Sequence, residues 1–362
     1  MSDKLDFDYD GITQEDKSLG IESFDDLHLK LNGKKICVFL GAGFSKAWDE
    51  KYPLSDQVFS LSKEEAENYS DKFKFFSLFE SFNLNLHPET VSEKERAGVF
   101  KSFKYNLDVY RRYPSLLPSH LDKQTLDYFE RQVKNYIKNK FVRLLPLSEF
   151  KLDSKGAARK HKDDIIRFFN RLESANSLDI ITTNYDIVID KVLKFSNPIR
   201  TQLRGFPIHI NNEVACPKKG GVGLYKLNGG FEVVAEGDGF KIDYDSLSNI
   251  DSCPNIILPS NDQNYSDKYF KNAFVKSSGQ LRQADVLIFI GYSFPEEDYI
   301  IQFLLKSFLD ADNKEKETII VSRNEKSALE CHERACKLFT ELNDKSGLYY
   351  YKGSFLELCA GT

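Results

Sequence analysis

The segment KKICVFLGAGFSKA, Lys34–Ala47, joins an uninterrupted apolar run to Gly41, Ala42 and Gly43, and Ser45 follows two residues later. An apolar run without polar alternation is typical of a strand buried on both faces of a parallel sheet. Glycines after such a strand fit a tight turn into a helix, whose free N–H groups favour an anion such as a pyrophosphate. A turn without a ligand is the alternative, because short glycine motifs are weak evidence.

Similar apolar runs, bounded by turn residues, recur along the rest of the chain. They lie at Leu178–Thr183, Gly223–Leu227, Asn255–Leu258, Ala284–Ile290, Thr318–Val321 and Leu348–Tyr351. Helical patterns such as DDIIRFFNRLESAN and EEDYIIQFLLKSFLDA separate several of them. This alternation predicts an α/β domain with a parallel sheet flanked by helices.

The stretch between the first two predicted strands is too long for a loop and is dense in Phe, Tyr and Lys with helical periodicity. We therefore predict a large α-helical insertion at about residues 55–160. Its aromatic residues at i, i+3 and i+4 spacing are expected to form a core. The predicted organisation is an acidic N-terminal segment, 1–30, followed by one domain, 31–362, that this insertion interrupts.

Composition excludes several classes of protein. The net charge is −5, from 50 basic and 55 acidic residues, so the totals give no reason to expect direct sequence-specific nucleic-acid binding. No apolar stretch is long enough to span a membrane, and the N-terminus lacks the apolar core of a signal peptide. The six cysteines include no C-x-x-C pair, which favours a reduced cytoplasm and argues against structural zinc.

Polar residues follow the apolar runs at points where strands of an open α/β sheet bind ligands. The run DIITTNYD ends in polar residues, ADVLIFIGYS ends in a glycine and a serine, and TIIVSRN ends in an asparagine. Asn184 could instead be a helix N-cap, and Asp186 a carboxylate in the first helical turn. The candidate positions at these strand ends are Thr183, Asn184, Asp186, Gly291, Ser293 and Asn324.

Four motifs in this order carry a family resemblance. G-A-G-x-S, T-N-Y-D, G-Y-S and Y-K-G-S-F, spread over about residues 34–356, resemble the sirtuin-like domains of bacterial anti-phage defence proteins. The resemblance implies a Rossmann-like parallel sheet and NAD as the ligand and substrate. It also implies which positions contact which part of NAD. Gly41, Ala42, Gly43 and Ser45 would line the pyrophosphate and nicotinamide-ribose side, Gly291, Ser293 and Asn324 would hold the adenosine half, and Asn184 and Asp186 would lie beside the nicotinamide ribose. Thr183 is a further expected NAD-binding position.

The activity implied by this resemblance is an NAD glycohydrolase that cleaves NAD to ADP-ribose and nicotinamide in abortive anti-phage defence. One position departs from the pattern: where the family has Leu-His-Gly, this chain has Leu227, Asn228 and Gly229. Asparagine cannot take up a proton near neutral pH as histidine can. Either Asn228 is natural and Asn184 and Asp186 carry the reaction, or it is a histidine-to-asparagine change that weakens turnover.

Two other activities stay open. A non-catalytic sensor that binds NAD or an ADP-ribose derivative fits a natural Asn228. A protein deacylase is disfavoured, because the four zinc cysteines that deacetylating sirtuins usually carry are missing.

Regulation is expected to come from assembly. The chain ends soon after YKGSF, so we expect no fused sensor domain and control through a homo-oligomer or a partner. Stand-alone members of the resembled family are encoded beside a HerA-type hexameric ATPase, which is therefore the expected partner.

Overall fold

The computed structural model describes most of the chain, with gaps. The described residues are 20–58, 93–119, 121–175, 177–196, 208–210, 213–215, 222–236, 239–249, 252–258, 265, 267–296, 298–310, 315–344 and 347–362.

Strands and helices alternate along most of the described chain. The strands are β1 Gly20–Ile21, β2 Lys35–Leu40, β3 Ser177–Thr182, β4 Ile208–Ile210, β5 Glu213–Ala215, β6 Gly223–Lys226, β7 Gly229–Gly230, β8 Val233–Glu236, β9 Gly239–Ile242, β10 Asn255–Ile256, β11 Val286–Ile290, β12 Glu317–Ser322 and β13 Leu348–Ser354. The α-helices are α1 Phe24–Leu31, α2 Ala42–Trp48, α3 Ser55–Val58, α4 Glu93–Arg112, α5 Lys123–Leu144, α6 Lys160–Ala175, α7 Val188–Ser196, α8 Lys268–Gln283, α9 Tyr299–Lys306, α10 Glu325–Leu338, α11 Thr340–Asp344 and α12 Phe355–Ala360.

The main sheet has seven parallel strands in the order β1-β13-β12-β11-β2-β3-β6. Read from β6 to β13, its six long strands follow the doubly wound order 3-2-1-4-5-6 of a Rossmann fold. The chain turns towards β3 after β2 and towards β12 after β11, so the direction of winding reverses between β2 and β11. The predicted α/β fold, a Rossmann-like parallel sheet flanked by helices, is confirmed.

Both faces of this sheet are buried. Val38 and Ile288 belong to one apolar cluster, which includes residues of α6, α7 and α12. Their neighbours Phe39 and Phe289 belong to a second cluster on the opposite face, with residues of α8, α9 and α10. Because successive side chains point to opposite faces, only a continuous apolar sequence fills both clusters.

Two strands differ from the sequence expectations. The run at Asn255–Leu258 forms β10, which pairs antiparallel with β7 outside the main sheet. The first strand of the sheet is β1, which pairs with β13 through Gly20 and Tyr350. The described part of the segment 1–30, from Gly20, thus includes β1 and most of α1, and α1 packs its apolar face into the main core.

The region of the predicted insertion is helical where it is described, and residues 59–92 lie outside the described part. The buried residues Leu126, Phe129 and Val133 lie along one face of α5. Lys138 of the same helix donates hydrogen bonds from Nζ to the carbonyl oxygens of residues 246, 249 and 252, at 2.6, 2.9 and 3.1 Å. The region is thereby joined to the segment that follows β9. Within the described residues, no helix is both long and apolar enough to cross a bilayer.

Asp179 of β3 lies near the opposite end of the strand from the candidate site, and its environment predicts a pH-dependent stability. Burial raises the pKa of this carboxyl to about 6, although the Tyr225 hydroxyl and Lys35 lower it in part. The folded state therefore binds more protons than the unfolded chain between about pH 4 and 6, so this group lowers stability as pH rises through that window. Asp179→Asn is expected to stabilise the protein by about 1–3 kcal/mol at pH 8 and much less at pH 4.

Urea unfolding at the two pH values measures this difference. The control is Asp163→Asn, because the Asp163 side chain is exposed. An Asp179→Asn variant less stable than the parent at pH 8 would contradict the prediction.

Candidate functional site

The candidate site lies at the carboxyl edge of the sheet, where β2 and β11 end side by side. Leu40 pairs with Ile290 in the last position of these strands. Ligands of open α/β sheets bind in the crevice at such a reversal of winding. The G-A-G motif follows one strand and Gly291 follows the other.

The glycines bring these two loops into backbone contact. Gly43 donates its N–H to the carbonyl of Gly291 at 3.0 Å, and Gly41 donates to the carbonyl of Ile290 at 3.0 Å. A Cβ on Gly43 would lie 2.8 Å from the Cα of Gly291, which itself has a φ of +65°. The glycines are therefore required for the packing of these two loops against each other.

This packing also changes the expected helix N-terminus. Helix α2 starts at Ala42 with Gly41 as its N-cap, and no side chain caps it. The N–H of Gly43 is taken by Gly291, and that of Phe44 by the carbonyl of Gly41 at 3.0 Å. Fewer free N–H groups face an anion than an isolated helix end offers.

Gly43→Ala tests the importance of this contact. The added methyl group meets backbone atoms that cannot move separately, so we expect a loss of about 1–3 kcal/mol in unfolding free energy. Thermal unfolding measures the effect. Gly279→Ala is the control, because nothing lies within 4 Å of the added Cβ in α8. Equal stability of the two variants would be inconsistent with a packing role for Gly43.

A buried hydrogen-bond network joins three predicted site residues. Asn184 donates from Nδ2 to Ser45 Oγ at 3.0 Å and to the carbonyl of Gly41 at 2.9 Å. The Ser45 hydroxyl is in turn a hydrogen-bond partner of the Asp186 carboxyl. The polar residues after β3 and the serine after β2 thus form one network, which we call the Asn184–Ser45–Asp186 network. Thr183 lies half-buried beside it.

The sequence left open a helix-capping role for Asn184 and a helix-start role for Asp186, and the structure supports only the second. Asn184 does not cap a helix, since α7 begins at Val188 and the Asn184 side chain bonds to the α2 loop instead. Asp186 does accept the N–H of Val188 at Oδ1, at 3.0 Å. The Asp186 carboxyl therefore supports the helix start while it contacts the network.

The electrostatic environment of Asp186 increases its basicity. Burial raises the pKa of this carboxyl, and the Val188 N–H, Lys226 and Ser45 offset the effect only in part. A carboxylate with a raised pKa is a stronger proton acceptor near neutral pH. This arrangement suits general-base or electrostatic chemistry.

Lys226 is a site-supporting residue that the motifs did not identify. Its fully buried ammonium donates to the carbonyl of Asp186 at 2.7 Å and forms ion pairs with Glu232 at 2.9 Å and Asp190 at 3.4 Å. The signal in the sequence is a lysine at the end of the otherwise uncharged strand GLYK. Buried charges are retained when they are paired.

A second cluster of buried ion pairs is centred on Glu149. Glu149, whose side chain is fully buried, pairs with Lys162 and Lys191 at 3.0 Å each. It also accepts hydrogen bonds from Trp48 Nε1 at 3.1 Å and from the Tyr52 hydroxyl at 3.3 Å. Glu149 thus joins the segment after the G-A-G motif to helices α6 and α7.

Asn228 is held just beyond β6. The preceding N–H, of Leu227, donates to the carbonyl of Thr182 at 2.8 Å, and the carbonyl of Asn228 accepts the N–H of Ile257 at 3.0 Å. The Tyr265 hydroxyl donates to Asn228 Oδ1 at 2.7 Å. Tyr265 is a further residue that sequence reasoning missed, and its position gives no motif by which to find it.

The positions expected to contact the adenosine half spread over two loops. Gly291 joins them, since its N–H donates to the carbonyl of Val321 at 3.1 Å. Ser293 is exposed, and its carbonyl accepts a hydrogen bond from Arg334 at 2.7 Å. The side chain of Asn324 caps α10 by accepting the N–H of Ser327 at 2.9 Å. Of the three positions, Gly291 directly contacts the G-A-G loop.

Across the described ranges, no three His, Cys, Asp or Glu side chains are grouped as metal ligands. Cys216 lies outside the described residues. The absence of zinc stays a prediction from the cysteine spacing.

Comparison with known proteins identifies the region that carries most of these residues. Residues 179–343 match the family model of the SIR2-like domain, which covers less than half of the chain. A search of curated proteins found no match. Among solved structures, a Sir2 enzyme is 11% identical over 93% of both chains with a TM-score of 0.39. A complex of Sir2 with a p53 peptide and NAD+ is 13% identical over 93% of this chain and 95% of that one, with a TM-score of 0.40. These similarities to solved structures are too low to assign a function. The part of the chain that is similar to the SIR2-like domain therefore begins in β3 and includes Asn184, Asp186 and Asn228.

Proposed function

We propose that this chain binds NAD in the crevice between β2 and β11 and hydrolyses it to ADP-ribose and nicotinamide. The observation that carries the proposal is the buried Asn184–Ser45–Asp186 network at the reversal of winding. The SIR2-like match over 179–343 supports the choice of NAD. The pyrophosphate would lie along the glycine contact, near Gly41, Ala42 and Gly43.

The chemistry of the network fits cleavage of an N-glycosidic bond. Loss of nicotinamide develops positive charge on the ribose, which a carboxylate can stabilise electrostatically. The raised pKa of the buried Asp186 carboxyl suits it to accepting a proton from the attacking water, and its ionised form would stabilise the positive charge. Asn184, fixed by Gly41 and Ser45, can orient that water or a ribose hydroxyl.

One observation favours a second candidate function. The residue at 228 is an asparagine, which has hydrogen-bonding groups but no titration near neutral pH. A chain of this kind can bind NAD or an ADP-ribose derivative as a non-catalytic sensor. Protein deacylation is the weakest candidate, because the expected zinc cysteines are missing from the sequence.

Nicotinamide release from NAD, followed with and without an acylated peptide, separates the three functions. Hydrolysis without peptide supports the glycohydrolase, binding without release supports the sensor, and release that requires the peptide supports the deacylase. Asp186→Asn should abolish hydrolysis and keep the fold. A parent protein that neither binds nor cleaves NAD would rule out the proposal.

We further propose that the chain acts in the bacterial cytoplasm in abortive anti-phage defence, as a homo-oligomer assembled with a HerA-type hexameric ATPase. The supporting observation is a set of exposed apolar side chains on the helical insertion, because such surfaces often mark contacts. Six of the ten large exposed hydrophobic residues in the described chain lie there: Tyr105, Tyr113, Leu116, Tyr128, Leu144 and Leu147. Native mass spectrometry with the co-expressed ATPase tests this, and Tyr113→Ser with Leu116→Ser should weaken the complex.

A further inference from the structure

Among the described residues, the side-chain oxygen of Asn228 has a hydrogen-bond partner and its side-chain nitrogen has none. Asn228 Oδ1 accepts the hydrogen bond from the Tyr265 hydroxyl at 2.7 Å. Within the described chain, no group accepts a hydrogen bond from Nδ2. Some described side-chain atoms are buried without a hydrogen-bond partner, and Asn228 Nδ2 is not one of them. This nitrogen is therefore accessible to solvent. The amide therefore keeps its oxygen turned to Tyr265 and has N–H groups available for a ligand at the carboxyl edge of the sheet, where β6 ends.

Tyr265 is well placed to hold this orientation. Its ring packs on Phe274 of α8, with ring centroids 5.2 Å apart. Burial, and to a smaller extent the charge of Asp298, raises the pKa of the Tyr265 hydroxyl. This hydroxyl therefore stays protonated and can donate a hydrogen bond. A neutral hydroxyl on a packed ring gives up little freedom when it binds a neighbouring amide.

The backbone of Asn228 is fixed independently of Tyr265. Its carbonyl is bonded to Ile257, and the next residue, Gly229, belongs to the β7–β10 pair. The main-chain position is thereby set, while the rotation of the carboxamide depends on its own hydrogen bonds. Loss of the Tyr265 hydroxyl would leave the main chain in place and free the amide to turn.

We infer that Tyr265 is a positioning residue that turns Asn228 so that its Nδ2 donates a hydrogen bond to a hydroxyl oxygen of the bound ribose. The identity of this ligand rests on the proposed function, whereas the orientation of the amide does not. Residue 228 then acts as a hydrogen-bond donor, and the choice between Oδ1 and Nδ2 is made by a residue 37 positions later in the chain.

A double-mutant cycle on the full chain tests the inference. Tyr265→Phe keeps the ring packing and is expected to weaken NAD affinity or kcat/KM about tenfold, the equivalent of one net hydrogen bond. In an Asn228→Ala background the same change should have less than about a twofold effect, because Tyr265 acts through the amide. Equal losses in both backgrounds, or no loss in either, would overturn it.

Tyr225→Phe is the matched control. Tyr225 is likewise a tyrosine whose hydroxyl is hydrogen-bonded to a side-chain amide, Gln280 Nε2, at 3.1 Å, but this hydroxyl lies near Asp179. This variant should leave NAD affinity unchanged. A similar loss in both tyrosine variants would indicate a general effect on the fold and count against the inference.

An NMR measurement without ligand separates this inference from the proposed function. With Tyr265 intact, the two side-chain N–H signals of Asn228 should stay distinct, and Tyr265→Phe should shift and broaden them. Unaltered signals would show that Tyr265 does not hold the amide, whether or not NAD binds. Altered signals in a protein that fails to bind NAD would support the orientation and reject the ligand.

Discussion

Replacing Asn228 with histidine is expected to raise the rate of NAD cleavage about 10²–10⁴-fold, the range typical of a positioned general acid or base. A neutral imidazole nitrogen accepts a proton from a ribose hydroxyl or water, whereas the carboxamide does not. The Tyr265 hydroxyl, which now donates to Asn228 Oδ1, can accept the N–H of one ring nitrogen and leave the other as the base.

The pH profile of the variant is part of this prediction. Activity should fall below about pH 6.5, the ordinary pKa of histidine, because only the neutral ring accepts a proton. Nicotinamide release from pH 5 to 9 measures it, with Asn228→Ala as the control that should show no gain. If the rate is unchanged by histidine while the parent already cleaves NAD briskly with its partner, the histidine mechanism is wrong. Asp186 then becomes the leading base.

The histidine variant also provides a background in which to test Asn184. Asn184→Ala should abolish turnover there and retain most of the NAD affinity, since the proposed task of Asn184 is to orient the ribose and water. A parallel loss of binding would instead assign Asn184 to holding the dinucleotide.

Glu149→Gln is expected to give the largest loss of stability, about 3–5 kcal/mol. The change removes the carboxylate charge from between Lys162 and Lys191, whose side chains are 1% and 0% exposed. Lys191 then faces an amide that cannot neutralise it, and Lys162 keeps the longer ion pair with Asp49 at 3.8 Å. Urea unfolding near neutral pH measures the effect.

The control for Glu149→Gln is a pair of the same type on the surface. Lys155 and Asp163 form an ion pair with side chains 42% and 60% exposed. Asp163→Asn should change the unfolding free energy by less than about 1 kcal/mol. Similar losses in the two variants would show that burial does not determine the contribution of Glu149.

The sequence predicted the main sheet because its strands are buried on both faces. The run at Val286–Ile290 has no polar position, and the structure places it in the sheet between β12 and β2. The run at Asn255–Leu258 is apolar after Asn255 but has a different partner, since composition does not specify which strand pairs with which. The two-residue strand β1 gave no pattern, because its pairing with β13 is a tertiary contact.

The candidate site was predictable where residues directly follow strands. Asn184, Asp186 and Gly291 could be located because parallel strands deliver their carboxyl ends to one edge. Glu149 could not, because a charged residue in a sequence is expected in solvent unless its partners are known, and for Lys226 the only signal was its place at the end of an otherwise uncharged strand. Glu149 pairs with Lys191, 42 positions away, and Lys226 pairs with Asp190, 36 positions away, so these contacts form only in the folded chain.

The pairing of β2 with β11 has a consequence for the synthesis of the protein. Ile36 pairs with Val286, so the two central strands are 250 residues apart in the chain. During translation the G-A-G turn leaves the ribosome long before Gly291, the residue against which it packs. A nascent chain that has not yet exposed β11 therefore lacks the proposed NAD crevice. Under the proposed function, ribosome-bound fragments would therefore not cleave NAD before β11 is synthesised.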